Sequence, residues 1–398
     1  MIFLAYWFLV FGIVALASYA LVSHPRVRIG VLLVSCVVFH AHFAGPAGVL
    51  PIIVLATLTY LAGRSRKPGL CLGVMIVCAS ALVFYKYTRF LCQSVVGAVS
   101  PILGTRLWTG VQPLLPGAPP LAVSFFVFEF VHYLYDVRKG GEPIRNPIRF
   151  GSFAIFWPSI VAGPVKRYQQ FLPALDQGLA SVTKNDVVQG LIRVAIGLVK
   201  KAIADNLTIW MNFRQPQFVD LPIRDRWWIF FALAFRILLD FSGYSDMAIG
   251  YARMMGIRLP ENFNWPYASR SLVEFWHRWH ISLSLWIRDY IYIPLGGSRR
   301  GTARKILNGL LAFGICGLWH GAAWNFLAWG LYHGAGLAVN SNYRRALGTF
   351  GQRLGAWLDE NESVAWAITM AHVSVGWLLF FYPIPEAWHM LKLLVPKA

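Results

Sequence analysis

The sequence predicts an all-α, polytopic integral membrane protein, on three observations. The 398-residue chain is 57% apolar and only 13% charged. Its mean hydropathy is +0.54, an apolar balance that ordinary soluble domains do not carry. Apolar stretches of helical length also recur along the whole chain. Crossing a hydrocarbon core takes about 20 helical residues, and by that rule the chain holds about ten to twelve helical segments.

In order, the apolar stretches are Ile2–Val22, Ile29–Phe43, Gly48–Ala62, Leu70–Tyr85 and Leu121–Tyr135. They continue with Gly151–Val161, Val187–Ile203, Trp227–Ile249, Leu272–Leu295, Ile306–Trp319, Ala322–Val339 and Val364–Phe381. Several are too short to span, which predicts re-entrant or half-spanning helices buried by their neighbours. Ala15-Leu-Ala17 has the small residues of a signal-peptide cleavage site, but no Lys or Arg precedes Arg26. The first stretch is therefore expected to be a retained helix. Gly104–Pro120 and Asn206–Arg226 read as loops, the first external and the second interfacial. Gly140–Pro147 reads as a cytoplasmic loop, and Arg344–Asp359 as an amphipathic surface helix. One integral membrane domain is expected, with peripheral helices over 1–120, a core over 121–340 and C-terminal helices over 341–398.

The net charge of +19 would suit nucleic acid, but in an apolar chain it reads as basic loops facing the cytoplasm and membrane lipids. Arg26/Arg28, Arg64/Arg66/Lys67 and Arg138/Lys139/Arg145/Arg149 follow segments one, three and five. Alternating spans put all three clusters on one side, which places the N-terminus outside. No nucleic-acid partner is expected. The five cysteines form no C-x-x-C pair and lie in or near apolar stretches; they read as free, buried thiols.

Two histidines sit in the most apolar surroundings of the chain. His280 lies in Trp279-His280-Ile-Ser-Leu-Ser284, and His320 in Leu318-Trp-His320-Gly-Ala-Ala-Trp324. A titratable ring in hydrocarbon is costly unless paired, so such residues mark a pathway or a reaction centre. From Arg258 to Lys305 the chain carries eight Lys or Arg against three acids, interleaved with Trp265, Trp276, Trp279 and Trp286. That mixture reads as interfacial helices walling a wet cavity.

Several strings, in this order, resemble the membrane-bound O-acyltransferase (MBOAT) family, in particular its bacterial alginate and teichoic-acid branch. They are Ser124-Phe-Phe…Asp136-Val-Arg-Lys-Gly140, Phe156-Trp-Pro…Ala162-Gly-Pro-Val-Lys-Arg-Tyr168 and Asp240-Phe-Ser-Gly-Tyr-Ser-Asp-Met-Ala-Ile-Gly250. Next come Gly256-Ile-Arg-Leu-Pro-Glu-Asn-Phe-Asn-Trp-Pro266 and Glu274…Trp279-His280-Ile-Ser-Leu-Ser284. The last are Arg288-Asp-Tyr-Ile-Tyr-Ile-Pro-Leu-Gly-Gly-Ser-Arg-Arg-Gly301 and Leu318-Trp-His320-Gly-Ala-Ala-Trp-Asn-Phe326. The likeness is close over residues 120–340. His277 departs from it, standing where alginate-type relatives commonly carry Arg, and those relatives continue with further helices beyond the segment ending at Phe381.

The resemblance implies an acyltransferase with a tunnel through the membrane. An acyl group, acetyl by the closer wording of the motifs, would leave acetyl-CoA or an acyl-carrier thioester on the cytoplasmic side. It would reach a hydroxyl of a cell-surface polysaccharide, or of a periplasmic or extracellular partner that relays it. No permanently bound cofactor is implied. His320 is the expected general base, flanked by Gly321-Ala-Ala, which leaves room for substrate. His280 is expected to catalyse or orient, its plainer alternative being a packing residue bonded to Ser284 one turn later. His277 reads as structural or interfacial, with Glu274 as a possible partner. Trp276, Trp279, Ser284, Arg288, Trp319 and Asn325 are expected to line the cavity. Gly296, Gly297, Arg299 and Arg300 form a basic glycine turn suited to phosphate or to a positive-inside anchor, with Lys166-Arg167 as a second basic element at the same mouth. Asp240 and Asp246 need cationic partners, for which Arg236, Arg253 or a cavity arginine would serve, with lining of the tunnel as the alternative; Glu129 and Asp136 read as helix-end or cavity charges. His277-x-x-His280 lacks zinc-protease spacing and no cysteine joins it, so no metal is expected. Two alternatives stand: D-alanyl transfer to teichoic acid on the same fold, and a polymer transporter or flippase, which predicts internal repeats that the sequence does not contain.

Overall fold

The computed structural model describes residues 5–396; of the first apolar stretch, Ile2–Leu4 lie outside them. Every regular element among the described residues is helical. Five helices are long and apolar enough to cross a membrane: Pro25–Gly45, Ala47–Ser65, Pro68–Tyr87, Ile223–Met254 and Glu362–Phe381. The chain divides into two compact units, Met1–Ile196 with Ser245–Pro260, and Gly197–Tyr244 with Glu261–Ala398.

In the first unit, the segments expected over 29–43 and 48–62 are arms of one helix, Pro25–Ser65, broken where Gly45 takes φ 63°. A positive φ costs glycine little, so the chain turns there without strain. Phe8, Phe11, Phe39, Trp157 and Tyr251 form an aromatic core, with Trp157 5.4 Å from both Phe11 and Tyr251. Ionic groups are satisfied internally. Lys166 Nζ lies 2.5 Å from Glu129, both nearly inaccessible, Arg193 bonds Asp246 at 2.6 Å, and Arg253 bonds Asp186 at 2.8 Å. Asp186 also forms a reciprocal cap with Thr183 at the start of the Lys184–Arg214 helix. Burial opposes its charge, but the Thr183 bonds and Arg253 outweigh that and hold its carboxyl below the usual range. The three early basic clusters are linked by contact: Arg66 pairs with Glu142, Arg28 donates to the Leu179 carbonyl, and Arg149 pairs with Asp176.

Two expectations change in this unit. The stretch 151–161 is helical only as far as Ala154, where the Pro147–Ala154 helix ends, and residues 155–167 run as turns and irregular chain. Pro158 and Pro164 lack amide donors and push their predecessors out of the helical region. The expected loop 104–120 is helical over Pro101–Val111, started by Pro101 and a Ser100 cap on the Leu103 amide.

In the second unit, helix persists to Arg214 and resumes at Ile223, so most of the expected loop 206–226 is helical. Asn206 and Thr208 fold their polar groups back onto the Ala202 and Ala204 carbonyls; the breaks come at Pro216 and Pro222. Asp240 pairs with Lys201 at 2.6 Å, while Arg236 bonds Thr208; neither Arg236 nor Arg253 is the acids' partner. The stretch 272–295 is not one helix but two of seven residues, Leu272–Arg278 and Ile281–Ile287, followed by a wide turn at Arg288–Tyr292. Thr302–His320 and Trp324–Ala346 form a tight hairpin. A Cβ at Gly317 would land on the Phe326 carbonyl, and one at Gly330 on the Phe313 carbonyl. Small residues thus let two backbones touch where lipid offers no hydrophobic drive. The expected surface helix is present as Gly348–Glu360, and Ile384–Lys392 adds a last one.

Two predictions follow from this packing. Gly330→Val should prevent the hairpin from closing and give aggregated protein in size-exclusion chromatography, whereas Gly309→Ala, where a side chain meets open space, should remain monodisperse. Lys166→Met should destabilise by about 3–5 kcal/mol by stranding the Glu129 carboxylate; thermal unfolding in detergent should show most of that restored by the double change Lys166→Met, Glu129→Met.

Candidate active site

Residues 278–282 cannot be continuous helix, because His280 sits between the two short helices at φ 42° and ψ 53°. A left-handed residue that is not glycine costs roughly 1 kcal/mol or more. The loop before it supplies the compensation. Asn264 N donates to the Arg278 carbonyl and Ile281 N to the Asn262 carbonyl, each at 2.9 Å. The Asn262 side-chain oxygen receives Ser282 N at 3.3 Å and Ser282 Oγ at 2.8 Å, and lies 3.0 Å from His280 Nδ1. Asn262 is fully buried and His280 is 1% exposed. Ser284 does not bond the imidazole; its Oγ donates to the Trp279 carbonyl at 3.3 Å.

His320 is the last residue of the Thr302–His320 helix and is half-buried. Its ring is edge-on to Trp319 at 4.8 Å, Trp329 at 5.2 Å and Phe380 at 5.2 Å. The Trp319 ring also lies 6.3 Å from His280, whose other face meets Phe241 at 4.7 Å. The two imidazoles share Trp319 as a neighbour. His320 is half-buried, and His280 keeps a buried Nε2 with no protein partner.

Beside this pair lies an apolar cavity of about 290 Å³. Trp276, Phe313 and Cys316 line it near the histidines' own aromatic cluster, since Trp276 stands 4.9 Å from Phe313 and 5.9 Å from Trp329. Elsewhere its wall carries Arg288, Lys305 and His277. The polar groups fall on a few residues of an otherwise hydrocarbon wall, the usual composition of a small-molecule site.

Residues 142–353, just over half of the chain, match the membrane-bound O-acyltransferase (MBOAT) family. The chain belongs to the MBOAT family. Among its relatives are the probable alginate O-acetylases of Pseudomonas putida, 38% identical over 80% of this chain and 63% of that protein, and of Azotobacter vinelandii, 37% identical over 82% and 62%. A peptidoglycan O-acetyltransferase of Helicobacter pylori is 32% identical over 79% and 62%. The chain thus spans about three fifths of the length of these relatives. A teichoic acid D-alanyltransferase of Bacillus subtilis is 27% identical over 73% of the chain and 77% of that protein.

The structure brings some of the expected residues together and places others apart. His280, Trp319 and His320 form one cluster, and Trp276, Ser284 and Arg288 line the cavity. Arg288 is bonded to Asp289 at 2.6 Å. Trp279 lies off the cavity wall, buried against Phe275, Tyr267 and Trp377. Asn325 donates to the Leu379 carbonyl at 3.2 Å, tying two helices. Gly296 and Gly297 take positive φ, and Asn308 fixes the turn by donating to the Gly297 carbonyl at 3.0 Å. The turn closes on Tyr292, a cavity residue, while Arg299 and Arg300 point to the exterior. Lys166 belongs with Glu129 and offers no free charge to a ligand. Asp136 accepts from Gln169 at 2.6 Å. Glu274 pairs with Arg278 at 2.7 Å, which leaves His277 facing the cavity. Among the described residues no group of three or more His, Cys, Asp or Glu could hold a metal.

Sequence reasoning missed Asn262, Trp329 and the fully buried His333, 5.1 Å from Trp329. Asn262 stands inside one of the family strings, but its depth and its pairing with His280 come from the fold. The cavity yields a direct check. Gly309 lines it, and a Cβ there meets no atom within 4 Å. Gly309→Phe should fold normally while lowering the affinity for a short-chain acyl thioester at least tenfold, read by thermal-shift titration in detergent.

Proposed function

We propose that the protein is a membrane O-acyltransferase that moves an acetyl group from a cytoplasmic thioester to a hydroxyl on the outer side. The single observation that carries this reading is the His280–Trp319–His320 cluster beside an apolar cavity, in a member of a family of acyltransferases. The hydroxyl oxygen attacks the thioester carbonyl as His320 takes its proton. The carbon–oxygen bond forms, the carbon–sulfur bond breaks, and the proton passes from His320 to the leaving thiolate, so no net proton is consumed. A general base of this kind is worth about 10²–10⁴-fold in rate. The last residue of a helix suits that role, because the negative end of the helix dipole favours the imidazolium that forms.

The cavity is the seat for the acyl-pantetheine arm. Its volume of about 290 Å³ suits a short, thin group, and Arg288, Lys305 and the neighbouring glycine turn suit the phosphates beyond it. By the positive-inside rule, the basic glycine turn supports a cytoplasmic mouth and the early basic clusters support an N-terminus outside. The acceptor is a cell-surface polysaccharide, or a partner that relays the group to one. Acetyl is favoured over D-alanyl because the more similar relatives are named O-acetylases.

His320→Ala should leave the protein folded and monodisperse and reduce acyl transfer by about 10²–10⁴-fold, read with a labelled acetyl thioester and by mass spectrometry of the surface polymer with and without the protein. Full transfer by the folded variant would overturn the assignment. A D-alanyl group in the polymer would replace the donor, and flux of polymer with no acyl product would replace the enzyme with a transporter.

A further inference from the structure

We propose that Asn262 is a positioning residue that holds His280 as the Nδ1–H tautomer and so presents its bare Nε2 lone pair to the reaction centre. The inference rests on the acyl-transfer reading for its consequence, but its geometry stands alone. The Ser282 backbone amide only donates, so the Asn262 atom 3.3 Å from it is the carbonyl oxygen. The same oxygen lies 3.0 Å from His280 Nδ1. Two acceptors do not bond, so Nδ1 carries the hydrogen. In the neutral ring Nε2 then carries only a lone pair. That atom is buried and has no protein partner, in a residue 1% exposed, and an unpaired buried polar atom at such depth marks a place for a ligand or a transient proton.

The chemistry that follows is specific. Neutral His280 cannot donate through Nε2 to a carbonyl oxyanion; it accepts a hydrogen bond. Its counterpart is a proton-bearing group, either the acceptor hydroxyl or the N–H of the His320 ring, which shares the Trp319 neighbour with it. Asn262 acts through His280, as the third member of a triad orients its base. The left-handed backbone at His280 fits this role. It turns the ring out of the helical register into the Phe241–Trp319 space, and the bonds from Asn262 to Ile281 and Ser282 hold it there.

The test uses the full chain in detergent with isotope-labelled histidine, whose two-bond proton–nitrogen spectra distinguish the tautomers. The His280 signals are those absent from His280→Gln, and they should show the Nδ1–H pattern near neutral pH. Asn262→Asp keeps an acceptor oxygen for all three bonds, and its carboxylate stabilises the imidazolium. It should fold, and the acidic limb of its kcat/KM profile should move to higher pH by about one unit or more. Asn262→Leu should lower kcat by about ten- to a hundredfold, as loss of a group orienting an imidazole does. A change in acceptor KM identifies the hydroxyl as the counterpart of Nε2, and one confined to kcat identifies His320. An Nε2–H pattern in the wild type, or an unmoved acidic limb in folded Asn262→Asp, would overturn the proposal. If the wild type transfers no acyl group, the function reading fails and the tautomer spectrum still decides this one.

Discussion

Backbone amides and carbonyls in hydrocarbon must find partners within the protein, and the site lies where the helices fail to supply them. Between Leu272 and Tyr292 the chain makes two short helices and a wide turn, leaving orphan groups around residues 278–282. The loop carrying Asn262 and Asn264 satisfies them by pairing along Arg278, Ile281 and Ser282. The irregularity is therefore paired rather than loose, and it brings an imidazole into a position that a regular helix would have turned elsewhere. Had the segment been one helix, Ser284 would share a face with His280 and no Asn would reach it.

The same constraint governs charge. Lys166 with Glu129, Arg193 with Asp246, and Lys201 with both Asp240 and Asp205 are ion pairs formed within their own units. Buried pairs of this kind contribute little net stability but are costly to break. Their closure removes most internal cations from contention as ligands for an anionic substrate. The cationic groups at the cavity wall, Lys305 bonded to Asn342 at 3.3 Å and Arg288 beside Asp289, stand at its more accessible part.

Helix-forming stretches were legible wherever apolar residues run unbroken for a span, as in 29–62, 70–85, 227–249 and 364–381. Legibility failed in both directions where short-range chemistry overrides composition. Pro158 and Pro164 turn an apolar stretch into turns, while polar Asn206 and Thr208 fold back onto carbonyls and stay helical. The segment 272–295 failed for a different reason: hydropathy does not register a single residue taking positive φ. The histidines were visible because a titratable ring stands out against hydrocarbon. Asn262 was not, because its importance arises from a pairing eighteen residues away, and the partners of Asp240 and Asp246 were hidden because charge alone does not say which cation packs alongside.

The two histidines differ in the one respect on which the proposed division of labour rests. His320 ends a helix and is half-buried, with the Phe326 ring filling the space that a side chain at Gly321 would take. His280 is sealed, strained in its backbone and gripped through Nδ1. A base that cycles its proton between a hydroxyl and a thiolate has to be reached from both sides, which favours the accessible ring. A ring whose tautomer is fixed by a buried amide is preorganised and exchanges slowly with water, which favours an orienting partner. With the proposed roles exchanged, the held ring would have to reach a hydroxyl from inside the packing.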